Sequence, residues 1–179
     1  MKRLQALNPE TTTGKSKELF NGVQSKLGMV PNMMRTMGNS PAVLEGYLNL
    51  SGALAKASIG AKMGELIALT VSQENNCDYC LSAHTFIGEN LVKIDSTSLQ
   101  SARTAESSNE KVQTGLVFAK KLVTTGGRVS DEDVQMVKDA GYTEGEIGEI
   151  IAHVALNVFT NYFNNTANTV IDFPVVAKI

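Results

Sequence analysis

Apolar residues recur at helical spacing along nearly the whole chain, and no stretch alternates apolar and polar for long enough to make a half-buried strand. In "SKELFNGVQSKLG", Leu19, Phe20, Val23 and Leu27 form one stripe, and Gly28 follows as a C-cap. Pro31 opens a short helical segment that ends near Gly38. Ser40 as N-cap and Pro41 at the first helical position start the next helix, with Val43, Leu44, Tyr47, Leu48 and Leu54 on its stripe. "GAKMGELIALTVSQEN" is a dense apolar helix with one acid, Glu65, in its first half. The spacing predicts a further helix from Cys77 to about Leu91, capped by Asn75 or Asn76. Val112, Leu116, Ala119 and Val123 mark another, closed by Gly126 and Gly127. Ser130 caps a short helix stopped by Gly141. "TEGE", Thr143–Glu146, has the form of a capping box before an apolar run to about Val170. The expectation is an all-α chain of roughly seven to eight helices.

At 179 residues, with no linker or repeat, the chain reads as one domain. A net charge of −2 with no lysine or arginine cluster argues against nucleic acid or an anionic membrane as partner. The first residues carry no apolar run of the kind a secretory signal needs, and no stretch is long enough to span a bilayer. The expected location is the cytoplasm.

The chemistry concentrates in "QENNCDYCLSAH", residues 73–84, which holds both cysteines and one of the two histidines. A disulfide between Cys77 and Cys80 closes too small a loop to staple a fold, so a catalytic or metal-binding use is favoured. On a helix Cys77, Cys80 and His84 share a face, with His84 one turn beyond Cys80. A helix start favours a thiolate, and an imidazole accepts the thiol proton near neutral pH. These parts suit attack of a thiolate on a peroxide, followed by condensation with the second thiol. They also suit a plain dithiol–disulfide relay. Dipole reasoning picks Cys77 as the nucleophile; the position of His84 picks Cys80. A structural zinc site needs four ligands, and the other histidine, His153, is distant in sequence.

"GELIALTVSQENNCDYCLSAHTFIG", residues 64–88, resembles the core motif of the alkylhydroperoxidase AhpD-like family, part of the carboxymuconolactone decarboxylase superfamily. Glu65, Cys77, Cys80 and His84 match that motif in type and spacing. "IIAHVALNVFTNYFNNTANT", residues 150–169, resembles the family's last long helix. The likeness covers residues 15–175 as one helical domain and leaves 1–14 as an N-terminal segment. It implies an all-α AhpD-like fold and a homo-oligomer, a trimer or hexamer. It implies a thiol-dependent peroxidase in which Glu65 and His84 relay protons, Cys80 attacks the hydroperoxide and Cys77 resolves it. No cofactor is implied beyond a redox-active Cys77–Cys80 disulfide. A thiol or dithiol reductant is needed, such as a lipoyl- or thioredoxin-type protein. The alternatives are a thiol–disulfide adaptor that feeds a separate peroxidase, a metal-binding protein, or a carboxymuconolactone-type decarboxylase. The last does not depend on a cysteine pair. The chain departs from some members in carrying Tyr79 where they place a histidine between the cysteines.

One pattern lies outside this motif. Glu149, His153, Asn157, Asn161 and Asn165 recur every four residues along the last apolar helix. A stripe of this kind forms a helix–helix or subunit contact with satisfied amides, or lines the pocket above the thiols.

Overall fold

The computed structural model describes residues 2–177 and 179. Among these residues it contains nine helices and no strand. They are α1 (Gly14–Leu27), α2 (Asn32–Met37), α3 (Pro41–Leu54), α4 (Gly60–Glu74), α5 (Asp78–Asn90), α6 (Ser96–Ala102), α7 (Glu110–Thr125), α8 (Asp131–Asp139) and α9 (Glu144–Ala167). The all-α expectation holds, and the count exceeds the expected seven to eight. The additional helix is α6. Its seven residues offer only Leu99 and Ala102 to the interior, too few for a visible period, and it is fixed by Asp95 accepting from the Ser98 N–H.

Elsewhere the end signals act as the residues suggest. Gly28 and Gly126 close α1 and α7 in the left-handed conformation. Ser130 and Thr143 both form reciprocal capping boxes, with Asp133 and Glu146. The start of α5 differs from the expectation. Neither Asn75 nor Asn76 caps it: Asn75 ends α4, and Asn76 takes the left-handed turn between the helices at φ 50°. The cap is Cys77, whose Sγ accepts the Cys80 N–H at 3.3 Å. The last helix stops at Ala167 rather than near Val170, because Asn168 turns left-handed.

Helix α4 is the hub, packing against α5, α7 and α9. It is buried almost all round from Met63 to Ser72, which explains a run too apolar for an amphipathic surface helix. One side of α4 meets a core that includes Leu116, Ala119, Ile147 and Ile150. A second core gathers Phe20, Met33, Met34, Met37 and Leu44 from α1–α3 around Cys77, Tyr79, Cys80 and Ala83. The cysteine pair therefore sits in an apolar layer between the first three helices and α5. No helix among the described residues is long and apolar enough to cross a membrane.

Candidate functional site

Four elements build the site. The first turn of α5 supplies the thiols, its second His84, the start of α4 Glu65, and α9 a wall of polar side chains. Because Cys77 is the cap, its backbone is extended (φ −96°, ψ 90°), and it lies outside the helix whose face it was expected to share. Its sulfur nevertheless turns back over the first turn to accept the Cys80 N–H. Both cysteines are unlinked thiols, so the structure describes the dithiol form.

The two thiols have different surroundings. Cys77 is fully enclosed, while Cys80 forms part of the wall of a cavity of about 510 Å³. Glu65, His84 and His153 line the same cavity, along with Met33, Met34, Leu54, Phe86 and other apolar side chains. His84 Nδ1 donates to Glu65 Oε2 at 2.8 Å, which leaves Nε2 as the nitrogen that can exchange a proton with a thiol. Burial opposes a charge on His84, but the carboxylate of Glu65 outweighs it and raises the pKa above the usual imidazole value. Burial likewise pushes the Cys80 thiol up. The hydrogen bond from Cys77, the charge of His84 and the amides of Asn164 and Asn161 outweigh that and bring it down to about 7. Cys77 moves the other way, raised by its hydrogen bond to Cys80 and by burial. The pair is thus polarised: one thiol ionises near neutral pH and the other keeps its proton.

The fold therefore brings Glu65, Cys80 and His84 to one cavity and places Cys77 behind Cys80, away from that cavity. Tyr79 points elsewhere. Its hydroxyl accepts the Met33 N–H at 3.2 Å, and its ring meets Phe173 edge-on at 5.8 Å. Burial and the nearby Asp172 carboxylate raise its pKa, so it supplies no base to the thiols. It ties α2 and the tail after α9 to α5.

The stripe on α9 divides in two. Glu149 accepts from the Ser58 and Ile59 N–H groups and has no part in the cavity. His153 lies against Gly64, where a Cβ would come within 2.9 Å of its Cε1; only glycine allows this approach. Burial lowers its pKa, and its buried Nε2 has no hydrogen-bond partner. Asn161 donates to Ser72 Oγ at 3.2 Å and accepts from Asn75 at 3.0 Å, and Asn165 donates to the Asn75 carbonyl at 2.9 Å. These bonds latch α9 to the α4–α5 turn. The four-residue pattern misses Asn164, whose Nδ2 donates to Cys80 Sγ at 3.2 Å. Its three-residue offset from Asn161 was the available signal. Among the described residues no group of three or more histidine, cysteine or acidic side chains is arranged to hold a metal ion.

Residues 41–111, from α3 into the start of α7, match the carboxymuconolactone decarboxylase family model. The segment includes Glu65, Cys77, Cys80 and His84. An uncharacterized peroxidase-related protein with an alkylhydroperoxidase AhpD core from Ralstonia eutropha JMP134 superimposes with a TM-score of 0.85 at 22% identity. The match covers 96% of this chain and 92% of that one. The chain thus carries a carboxymuconolactone decarboxylase family match over residues 41–111 and has the AhpD-like fold over nearly its whole length.

Other structures of this AhpD-like shape are similar to comparable extents. A peroxidase-related protein from Silicibacter sp. TM1040 gives a TM-score of 0.81 at 21% identity, covering 94% of this chain and 92% of that chain. The debrominase Bmp8, solved as a cysteine-to-alanine variant with 2,3,4-tribromopyrrole, gives 0.81 at 23% identity over 96% and 92%. At such identities the likeness is one of fold. No curated protein sequence matches the chain. The cavity, the thiol pair and the Glu65–His84 bond are features of this chain's own geometry.

Proposed function

We propose that this protein is a thiol-dependent peroxidase that reduces organic hydroperoxides in antioxidant defence. The observation that carries the reading is the polarised thiol pair, with Cys80 depressed to about pH 7 at the wall of an apolar cavity and Cys77 protonated behind it. The Cys80 thiolate attacks the terminal oxygen of the hydroperoxide. The S–O bond forms as the O–O bond breaks, and the alkoxide leaves with a proton from the His84 imidazolium. The products are an alcohol and the Cys80 sulfenic acid. The Cys77 sulfur then attacks the Cys80 sulfur, giving the disulfide and water. A dithiol reductant restores both thiols by exchange and is itself oxidised to a disulfide. Glu65 holds His84 in the tautomer and charge state these transfers need. The apolar lining suits a hydroperoxide with a hydrocarbon body, and the protein functions as a cytoplasmic homo-oligomer.

The test is a free-thiol count before and after one equivalent of cumene hydroperoxide, with mass spectrometry of the peptide spanning residues 77–80. Loss of both thiols with formation of the alcohol supports the reading. Survival of both thiols while the peroxide persists ends it. Transfer of electrons to a partner protein without peroxide consumption identifies the adaptor role instead. Because one structure of similar fold is a debrominase, bromide release from 2,3,4-tribromopyrrole under the same dithiol is a necessary control.

A further inference from the structure

The helix start cannot by itself account for an ionised Cys80. The backbone N–H of Cys80, the group a thiolate at a helix N-terminus draws on, donates to Cys77 Sγ instead. The sulfur that faces the cavity draws on side-chain donors instead, and the Cys77 thiol is one of them. Asn164 on α9, 84 residues along the chain from Cys80, supplies another. Its Nδ2 lies 3.2 Å from Cys80 Sγ, within the range for a hydrogen bond to sulfur. The side chain is only 3% exposed, and its Oδ1 is buried with no partner. A half-satisfied buried amide destabilises a fold, and leucine has nearly the same shape. Packing alone therefore does not explain an amide here; the bond to sulfur does. The position is also enforced, because Asn161 and Asn165 on either side anchor α9 to the α4–α5 turn.

We propose that Asn164 is a catalytic residue whose side-chain N–H donates to Cys80 Sγ and holds it as the reactive thiolate. The bond strengthens when the sulfur becomes an anion, so it favours ionisation over the thiol. It acts beside Cys77, Tyr79 and His84 on the cysteine segment, Tyr47 on α3, Glu65 on α4 and His153 on α9, the ionisable groups that surround the same sulfur. Asn164 lies outside residues 41–111, so it is not part of the segment the family model matches. The role rests on the reading of Cys80 as nucleophile and holds for any reaction that begins from its thiolate.

The experiment uses iodoacetamide, which needs no peroxide, so its result stands whether or not the protein reduces hydroperoxides. The rate of Cys80 alkylation is followed against pH for the whole protein and for Asn164→Leu, with circular dichroism as the check on folding. A hydrogen bond to a charged group has a strength that moves the midpoint up by about one to two pH units on removal. Coincident midpoints in a folded Asn164→Leu protein overturn the proposal. If that variant does not fold, the unmodified protein decides. The Asn164 side-chain amide protons, followed by nuclear magnetic resonance, shift with the Cys80 alkylation midpoint if the proposal holds. Their indifference to that midpoint refutes it.

Discussion

Replacing Glu65 with glutamine isolates the carboxylate's charge while keeping its shape. Glu65 and His84 are 2.8 Å apart, with side chains only 18% and 23% exposed, so water screens the pair weakly. A hydrogen bond to an ionised group contributes about 1.5–3 kcal/mol and a neutral one about 0.5–1.5. Glu65→Gln therefore removes about 1–1.5 kcal/mol of support for the His84 imidazolium, roughly a tenfold change in its population. The sign follows from the geometry. Glu65 raises the His84 pKa, and the His84 charge in turn lowers that of Cys80. Without the carboxylate, the thiolate forms at higher pH, and the window in which it exists below about pH 8 shrinks. The assay is an ultraviolet thiolate titration of the Cys77→Ser protein with and without Glu65→Gln, together with the rate of cumene hydroperoxide consumption at pH 7. The expected result is an upward-shifted Cys80 midpoint and a rate lower by about tenfold. Superimposable titrations would refute the chain of influence from Glu65 through His84 to Cys80.

Cys77→Ser is expected to leave one turnover, with the Cys80 sulfenic acid trapped by dimedone and seen by mass spectrometry, because the resolving sulfur is gone. Gly64→Ala forces the His153 ring from a contact of 2.9 Å and is expected to cost about 1–3 kcal/mol of stability, read as a lower urea midpoint; His153→Ala in the same chain relieves it. Tyr79→Phe leaves the Met33 N–H without its acceptor in a buried layer, so it lowers stability by about 1–3 kcal/mol in the same unfolding assay. It leaves the rate of Cys80 alkylation unchanged, since the phenol faces α2 rather than the thiols.

Much of the fold is written in local patterns: a stripe of apolar residues, a capping box at Thr143, a glycine at position 28 or 126. Helix α6 is not, because seven residues make less than two turns and its cap, Asp95, has no apolar run behind it to announce it. The Cys77–Cys80–His84 grouping follows from sequence spacing, and the nearness of Glu65 to His84 from the likeness to a known motif. What spacing could not give is direction. Assigning Cys77 to the helix face assumed it was inside the helix, whereas its role as cap rotates its sulfur away from the cavity. The asparagine stripe had the same difficulty. Counting in fours finds the residues that latch α9 to Asn75 and passes over Asn164, because only the tertiary packing decides which edge of the stripe meets the sulfur.

The enclosure of Cys77 has a kinetic consequence. On the peroxidase reading, once the disulfide has formed, Cys80 is the only sulfur an outside thiol can reach, and it reaches it through the space the hydroperoxide has just left. Oxidant and reductant must take turns at a single door. Double-reciprocal plots at several reductant concentrations should then be parallel, and a bulky hydroperoxide in excess should slow the enzyme by blocking its own reductant.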